Sequence, residues 1–565
     1  MMLIKKTLAV MLSISLVFGL CFCALAEESN PASAITGKDV KLYTDGAATV
    51  RDYKVYFIDG GNVPYVPVED VGMVLELVDK SGSKPEYKVE GDHAVWSRGL
   101  YCMDFDFAND TITFNDFDEF FRQEGRGLVD MVMGPENTFP LFERNAKSTD
   151  RYGKVLVMDL KPYGIDLVKT DKGSFVPLQT VSDVVCNYFE CPLYFSGDAV
   201  IASEALNAEE RAILQKGEWQ WTEDLADFSY RELCFVLDYQ YGLKEIHGIE
   251  SFDTLFSETG LKAQFLGSDA TEADKALWQL IYFYLGDLHS QFNNLSMLSD
   301  RDVFSDFVAG AGQGLAASHR QAAIADFGAA RSEAYPDGIP AYEEIGDTAY
   351  ITFDQFIDPV ADMDYLAPVT EADNSEKDTI RLIQYACSRI LREGSPIENV
   401  VLDVSVNSGG ATIAAQYVMS AFLGEADFST QNKMTGAMSD AVYRVDTNLD
   451  GVFDEKDSFA ENGLNLFCIA SPISFSCGNL VPCAFKASNK VTMLGQASGG
   501  GSCSIHCFST AYGTGFQISG YRRFSVMKNG SFYDIDTGAE PHFYIADPAK
   551  YYDREALTEF VHGLY

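Results

Sequence analysis

Residue types suited to acyl-transfer chemistry are concentrated in two stretches about seventy positions apart. In the second, Ser471-Pro472-Ile473-Ser474-Phe475-Ser476-Cys477-Gly478-Asn479, Ser476 follows an apolar strand-like run from Phe467 to Ile473 and precedes a helix opening near Asn479. A serine at such a junction presents its hydroxyl beside the unpaired N–H groups of a helix start, which suits attack on a carbonyl and stabilisation of the resulting oxyanion. The same local pattern describes a helix-capping serine. In the first stretch, Val400 to Val406 reads as a buried strand that ends at Asn407-Ser408-Gly409-Gly410. Gly409 and Gly410 allow close backbone approach, so their N–H groups would form one half of an oxyanion site and the Cys477 N–H the other. Taken alone, that segment is equally a plain strand-to-helix turn.

A separate pattern runs from Asp446 to Asp457. Asp446, Asn448, Asp450, Asp454 and Asp457 stand at loop positions 1, 3, 5, 9 and 12, Gly451 at position 6, and the Val452 carbonyl at position 7. This is the donor order of a calcium loop, with aspartate where glutamate is commoner at the end. It predicts a structural calcium, the alternative being an acidic surface turn. The spacing of Cys503 and Cys507 lacks the second half of a zinc pattern, and no metal is expected there.

Three kinds of element must position these residues. From 27 to 205, short apolar strands alternate with Gly, Asn and Asp turns. A weak internal repeat there sets Tyr65-Val66-Pro67-Val68 against Phe175-Val176-Pro177-Leu178, each followed by an apolar helix-like segment. From 206 to 335 the pattern is helical, and the run Ala276 to Phe283 is apolar on several faces, as a buried helix requires. It stops at Gly286-Asp287-Leu288-His289-Ser290. From 336 to 565 strands alternate with helices: helix Asp378 to Arg392, strand 399–404, helix Ala411 to Leu423, strand 465–470, helix Leu480 to Ala487, strand 491–494. The alternation predicts an α/β core with both sheet faces covered and the site in loops beyond the strand ends.

Together the two stretches resemble the C-terminal processing (tail-specific) serine proteases and the related tricorn core. Asp403, Asn407, Gly409 and Gly410 match the family's first strand motif, and Ser474 and Ser476 its nucleophile motif. Tyr350-Ile351-Thr352-Phe353 matches an earlier strand, and Gly538-Ala539-Glu540-Pro541 a late turn. The resemblance spans 280 to 546 and implies a ClpP/crotonase-like fold with Ser476 as nucleophile. The bacterial branch carries a lysine base about 25 residues after the serine, but no lysine occurs from 491 to 516. The histidine-using branch is similar instead through Leu285-Gly286-Asp287-Leu288-His289-Ser290, which implies His289 as general base, with His506 as the rival. It further implies Glu540 as the group orienting His289, with Ser290 assisting, although His542 replaces the family's aspartate. The Val-Pro repeat near the N-terminus resembles copper amine oxidase N-terminal-like modules and implies no copper. No PDZ-like segment is evident before the core.

Residues 1–26 read as an export signal: Lys5-Lys6, an apolar run from Leu8 to Leu25, and Ala24-Leu25-Ala26 before Glu27. An uncleaved membrane anchor is the alternative. Cleavage would leave 40 basic against 83 acidic side chains and ten cysteines. So negative a surface excludes nucleic acid and anionic lipid as natural partners. The expectation is a secreted or cell-surface serine endopeptidase acting on proteins or peptides, needing no catalytic cofactor and not integral to the membrane. A catalytically silent peptide- or cell-wall-binding protein on the same fold is the rival.

Overall fold

The computed structural model describes residues 34–79, 84–121, 135–312 and 314–565, so the export signal read at 1–26 lies outside the described residues. At its centre is a six-stranded sheet, in the order Tyr342–Ile345, Thr348–Thr352, Asn399–Asp403, Asn465–Ala470, Val491–Gly495 and Phe543–Tyr544. The first pair is antiparallel and every other pair parallel. All five residues of Asn399–Asp403 are buried, as expected for a parallel strand covered on both faces. Val400 and Leu402 face a core built with helices Thr379–Ile390, Thr412–Leu423 and Cys477–Ser488. Val401, one residue out of phase, faces Phe327 of helix Leu315–Ala334 together with Tyr551, Leu557 and Val561 of the C-terminal helices. The α/β fold read from the sequence is thus the fold observed.

The rest of the molecule does not divide where the secondary structure changes. Strands Ala426–Asn432 and Met438–Val445 leave the central sheet and form an antiparallel sheet with Gly515–Ser525, Cys503–Ser509 and Gln291–Asn294. Two strands from far upstream, Phe142–Arg144 and Thr149–Arg151, complete its edge by pairing with Met438–Val445. One hydrophobic core joins Val40, Val66 and Val176 to Phe235 and Leu277, and to Phe508, Phe516 and Tyr521. The N-terminal strands, the helices and the 503–525 hairpin therefore share an interior. Within it the two Val-Pro segments pair with each other antiparallel, Val66 opposite Val176.

The helical stretch is shaped by its caps. Asp269 accepts the N–H groups of Thr271 and Glu272 and starts Ala270–Gln279. The chain then widens through Leu280–Leu285 and stops at Gly286, whose φ of 62° suits glycine. Leu277, Leu280 and Ile281 are buried, but Phe283 and Tyr284 face solvent, so the run is less enclosed than its composition suggests. The ten cysteines after position 26 are unpaired, and most are buried as small apolar side chains. Among the described residues no helix is long and apolar enough to cross a membrane.

Candidate active site

Ser476 stands at the N-terminus of helix Cys477–Ser488, three residues earlier than the predicted helix start, in the capping position. It does not cap. Its side chain makes no bond to the helix, and its backbone lies at φ 57° and ψ −123°, a conformation that costs a non-glycine residue about 1–3 kcal/mol. The surrounding loop holds it there. Ser476 N donates to Gly500 O at 2.9 Å, Phe475 N to Asn407 O at 3.1 Å, and the Asn479 and Leu480 N–H groups return to Ser476 O at 2.9 Å. Ser474, the other serine of the motif, is fully buried and donates its hydroxyl to Val404 O at 2.7 Å. Ser476 is half-buried and its hydroxyl carries no hydrogen bond among the described residues, so of the two it is the one that can meet a substrate.

The first stretch packs directly against the second. Asn407 is the joint: Nδ2 donates to Phe353 O at 3.1 Å, Oδ1 accepts the Gly409 N–H at 2.9 Å, and its carbonyl takes Phe475 N. A side chain at Gly409 would place Cβ 2.7 Å from Ser476 Cβ and 2.9 Å from Phe475 O, at a φ of 108°. A Cβ on Gly478 would sit 2.4 Å from Asn407 O. Both glycines are therefore required by contact. One detail differs from the expectation: the Gly409 N–H is taken by Asn407, so it is not a free donor. The Gly410 and Cys477 N–H groups meet no acceptor among the described residues, Cys477 because the first N–H of a helix has no partner within it. Asp403 is structural. Its Oδ2 accepts Arg554 Nη2 at 2.6 Å in a buried ion pair and its Oδ1 accepts Ser405 N at 2.9 Å, fixing the strand end that leads to Asn407.

His289 reaches this loop from the turn after Gly286. Its ring packs edge-on against Phe475, the residue before Ser476, with centroids 4.7 Å apart. It is buried, and Nδ1 has no hydrogen-bond partner among the described residues. The backbone is secured by His289 N to Asp287 Oδ1 at 3.0 Å and Gln517 Nε2 to His289 O at 2.8 Å. Burial, above all, holds the imidazole below its ordinary range; the charges of Asp287 and Asp536 push the other way, and Arg320 adds to the lowering. Asp287 is itself the hub of the turn, accepting the Ser290 hydroxyl at 2.6 Å, Ser290 N at 2.9 Å, Tyr241 OH at 2.9 Å and Ser519 Oγ at 2.9 Å. Ser290 thus acts on Asp287 rather than on His289.

Glu540 is not brought to the site. It is exposed, its carbonyl accepts Lys486 Nζ at 2.6 Å, and its charge is not among those that act on His289. The late acid that does act on His289 is Asp536, four residues earlier, which accepts Ser502 N at 3.2 Å and Ser502 Oγ at 3.1 Å. The rival base is also placed elsewhere. His506 is buried with Nδ1 on Asn187 Oδ1 and Nε2 on Ser504 Oγ, both at 3.0 Å, and its ring on Tyr521. Both nitrogens are committed, as in a structural histidine.

Residues 347–544 match the family model described as Peptidase family S41. That segment, about a third of the chain, is similar to peptidase family S41. No curated protein matches it at the level of sequence. Among solved structures, mature CPAF complexed with lactacystin is similar over 60% of this chain and 98% of that one, at 11% identity and a TM-score of 0.39. The photosystem II D1 C-terminal processing protease is similar over 36% of this chain, at 16% identity and a TM-score of 0.25, and only 42% of its length is spanned. For the tricorn protease the figures are 94% and 54% coverage, 10% identity and a TM-score of 0.29.

Against the loop that leads to Ser476 lies a cavity of about 460 Å³. Phe475, Pro472, Gly499 and Gly501 form one wall, Asp287, Leu288 and Asp536 another, and helix Leu315–Ala334 closes it with His319 and Arg320. The matched segment also carries the 446–457 loop. Asp446 accepts Leu449 N at 2.7 Å and Gly451 N at 2.9 Å, and Asp457 accepts Thr447 N at 2.9 Å and Asp454 N at 3.0 Å. Asn448 and Asp450 accept the N–H groups two residues on, at 2.9 and 2.8 Å. The turns follow the order a calcium loop needs, although Asp457 Oδ1 is already taken by Thr447 N, Thr447 Oγ1 and Asn448 N. Asp446 and Asp457 are both buried, and the charge of Asp446 joins burial in pushing Asp457 above the usual carboxylate range. Among the described residues, however, no three carboxylate, His or Cys side chains gather closely enough to hold an ion. As it stands the loop is an acidic pair rather than a closed cage.

Proposed function

We propose that this chain is an exported serine endopeptidase that cuts protein or peptide chains through an acyl-enzyme on Ser476, with His289 as general base. The observation that carries the reading is a strained Ser476 whose hydroxyl is free among the described residues, with a buried imidazole whose Nδ1 has no partner packed on the preceding residue, Phe475. His289 takes the Ser476 proton as Oγ attacks the scissile carbonyl and gives it to the departing amine; water then repeats the sequence to release the acyl group. The Cys477 and Gly410 N–H groups hold the oxyanion. Asp287 fixes the His289 turn, and Asp536 favours the imidazolium that forms during transfer. A resting catalytic histidine free of hydrogen bonds is compatible with this role, since such bonds commonly tighten only on substrate binding.

Export is supported by the signal-like residues 1–26 and by an acidic excess suited to a soluble protein outside the cell. Calcium on the 446–457 loop would brace the strands that flank it and take no part in the chemistry. Cleavage of unfolded casein tests the function. The wild-type chain should cut it, while Ser476→Ala and His289→Ala should lose at least about 10³-fold in rate, as loss of a catalytic-unit member does elsewhere. His506→Ala should retain activity if folded. Cutting unaffected by Ser476→Ala would overturn the reading.

A further inference from the structure

Arg320 is a half-buried cation with no carboxylate partner among the described residues, in a chain where acids outnumber bases two to one. It stands on the face of helix Leu315–Ala334 that lines the cavity against the loop leading to Ser476, with Ala316, His319 and Ala323. Two contacts hold it: Nη1 donates to Ile473 O at 3.0 Å, and the guanidinium lies 5.3 Å from the centre of the Phe475 ring. Both belong to the nucleophile loop, one and three residues before Ser476. No ion pair involves it among the described residues, and burial alone pulls it below its ordinary range with no acid raising it. Among the described residues Nε and Nη2 donate no hydrogen bond.

The two acids that share the cavity are already engaged. Asp287 is ringed by the donors of its own turn, Tyr241 and Ser519, and Asp536 by Ser502. A guanidinium presents a planar fork that fits a carboxylate with two parallel hydrogen bonds, and a partly desolvated cation gains most from such a partner. Resting on the peptidase reading, we propose that Arg320 is a specificity residue that receives a carboxylate of the substrate in this cavity, the side chain of an aspartate or glutamate close to the scissile bond.

The carboxylate has two possible sources, a side chain or a peptide's own C-terminus, and one binding experiment separates them without relying on turnover. The full chain carrying Ser476→Ala is titrated with N-acetylated octapeptides bearing a central Asp, Glu, Asn or Gln, each made as the free acid and as the C-terminal amide. Asp or Glu peptides are expected to bind at least tenfold more tightly than their Asn or Gln counterparts in both terminal forms. The gap should fall below twofold in Ser476→Ala/Arg320→Gln and recover in part in Ser476→Ala/Arg320→Lys, whose melting temperatures verify folding. A gap that follows the terminal acid instead, and is equally lost with Arg320→Gln, would overturn the side-chain assignment and leave Arg320 reading the chain end. Equal binding of all peptides, or a gap that survives Arg320→Gln, would overturn the proposal. Failure of the wild-type chain to cut casein would sink the peptidase reading and leave the binding result standing.

Discussion

Gly409 has no room for a side chain, because Ser476 and the Phe475 carbonyl already fill the space its Cβ would need. Gly409→Ala should therefore lower kcat/KM at least about 100-fold, about 2.7 kcal/mol, through a displaced nucleophile, with ~1–3 kcal/mol of backbone strain added to the folded state. At the same scale, a depressed His289 pKa fixes a sign. The neutral base form persists below the ordinary histidine value of about 6.5, so kcat/KM should be flat above that pH and fall only in more acidic solution. Arg320→Gln removes a repelling cation and should move that limb to higher pH, measured on an uncharged peptide. The places of Ser476, Gly410 and Cys477 at their strand and helix ends were legible in the sequence because residue type and junction are local signals. Asp536 was not. It lies in Asp534-Ile535-Asp536-Thr537-Gly538, four residues from the acid that motif position favoured, and only the path of the chain around Ser502 shows which carboxylate turns inward.

At the scale of elements, the strands and helices of the central sheet could be read almost to their ends, since continuous apolar runs between glycine-rich turns leave few alternatives. The start of helix Cys477–Ser488 was misplaced by three residues because the small residues at 476–478 look like a loop. The edge strands Phe142–Arg144 and Thr149–Arg151 were not foreseen as part of the core hairpin sheet, for their partners lie nearly three hundred residues away. The strand end at Asp403 depends on one buried ion pair, and taking one partner from such a pair costs about 3–5 kcal/mol. Arg554→Met should lower stability in a urea melt by that amount and depress activity with it, by loosening Asn407. For the 446–457 loop, addition of calcium after chelation should raise the melting temperature by several degrees and leave kcat per folded molecule unchanged.

At the scale of the whole molecule, one hydrophobic core is shared by the N-terminal strands, the helices and the 503–525 hairpin, and a buried acid pair ties parts of it together. Asp183, in the segment after the second Val-Pro strand, faces Glu232 of helix Glu223–Gln240; Gln179 Nε2 donates to Asp183 at 2.9 Å and Thr180 Oγ1 to Glu232 at 3.1 Å. Burial first, joined at Asp183 by the charge of Glu232, makes the pair retain a proton well above the ordinary carboxylate range, while the hydrogen bonds from Thr180 and Asp183 pull Glu232 the other way. An acid with a raised folded pKa contributes most when neutral, so its contribution is complete at low pH and declines as pH rises from about 4 through neutrality. The melting temperature should accordingly fall across that interval, and Glu232→Gln should flatten the slope.

The account turns on which side chain is the nucleophile. A fluorophosphonate reports this directly when the labelled chain is digested and the adduct located by mass spectrometry. The adduct is expected on Ser476, absent in Ser476→Ala and slowed at least about 10³-fold in His289→Ala. Absence of any adduct on the folded wild-type chain, or equal labelling of Ser476→Ala, would contradict it.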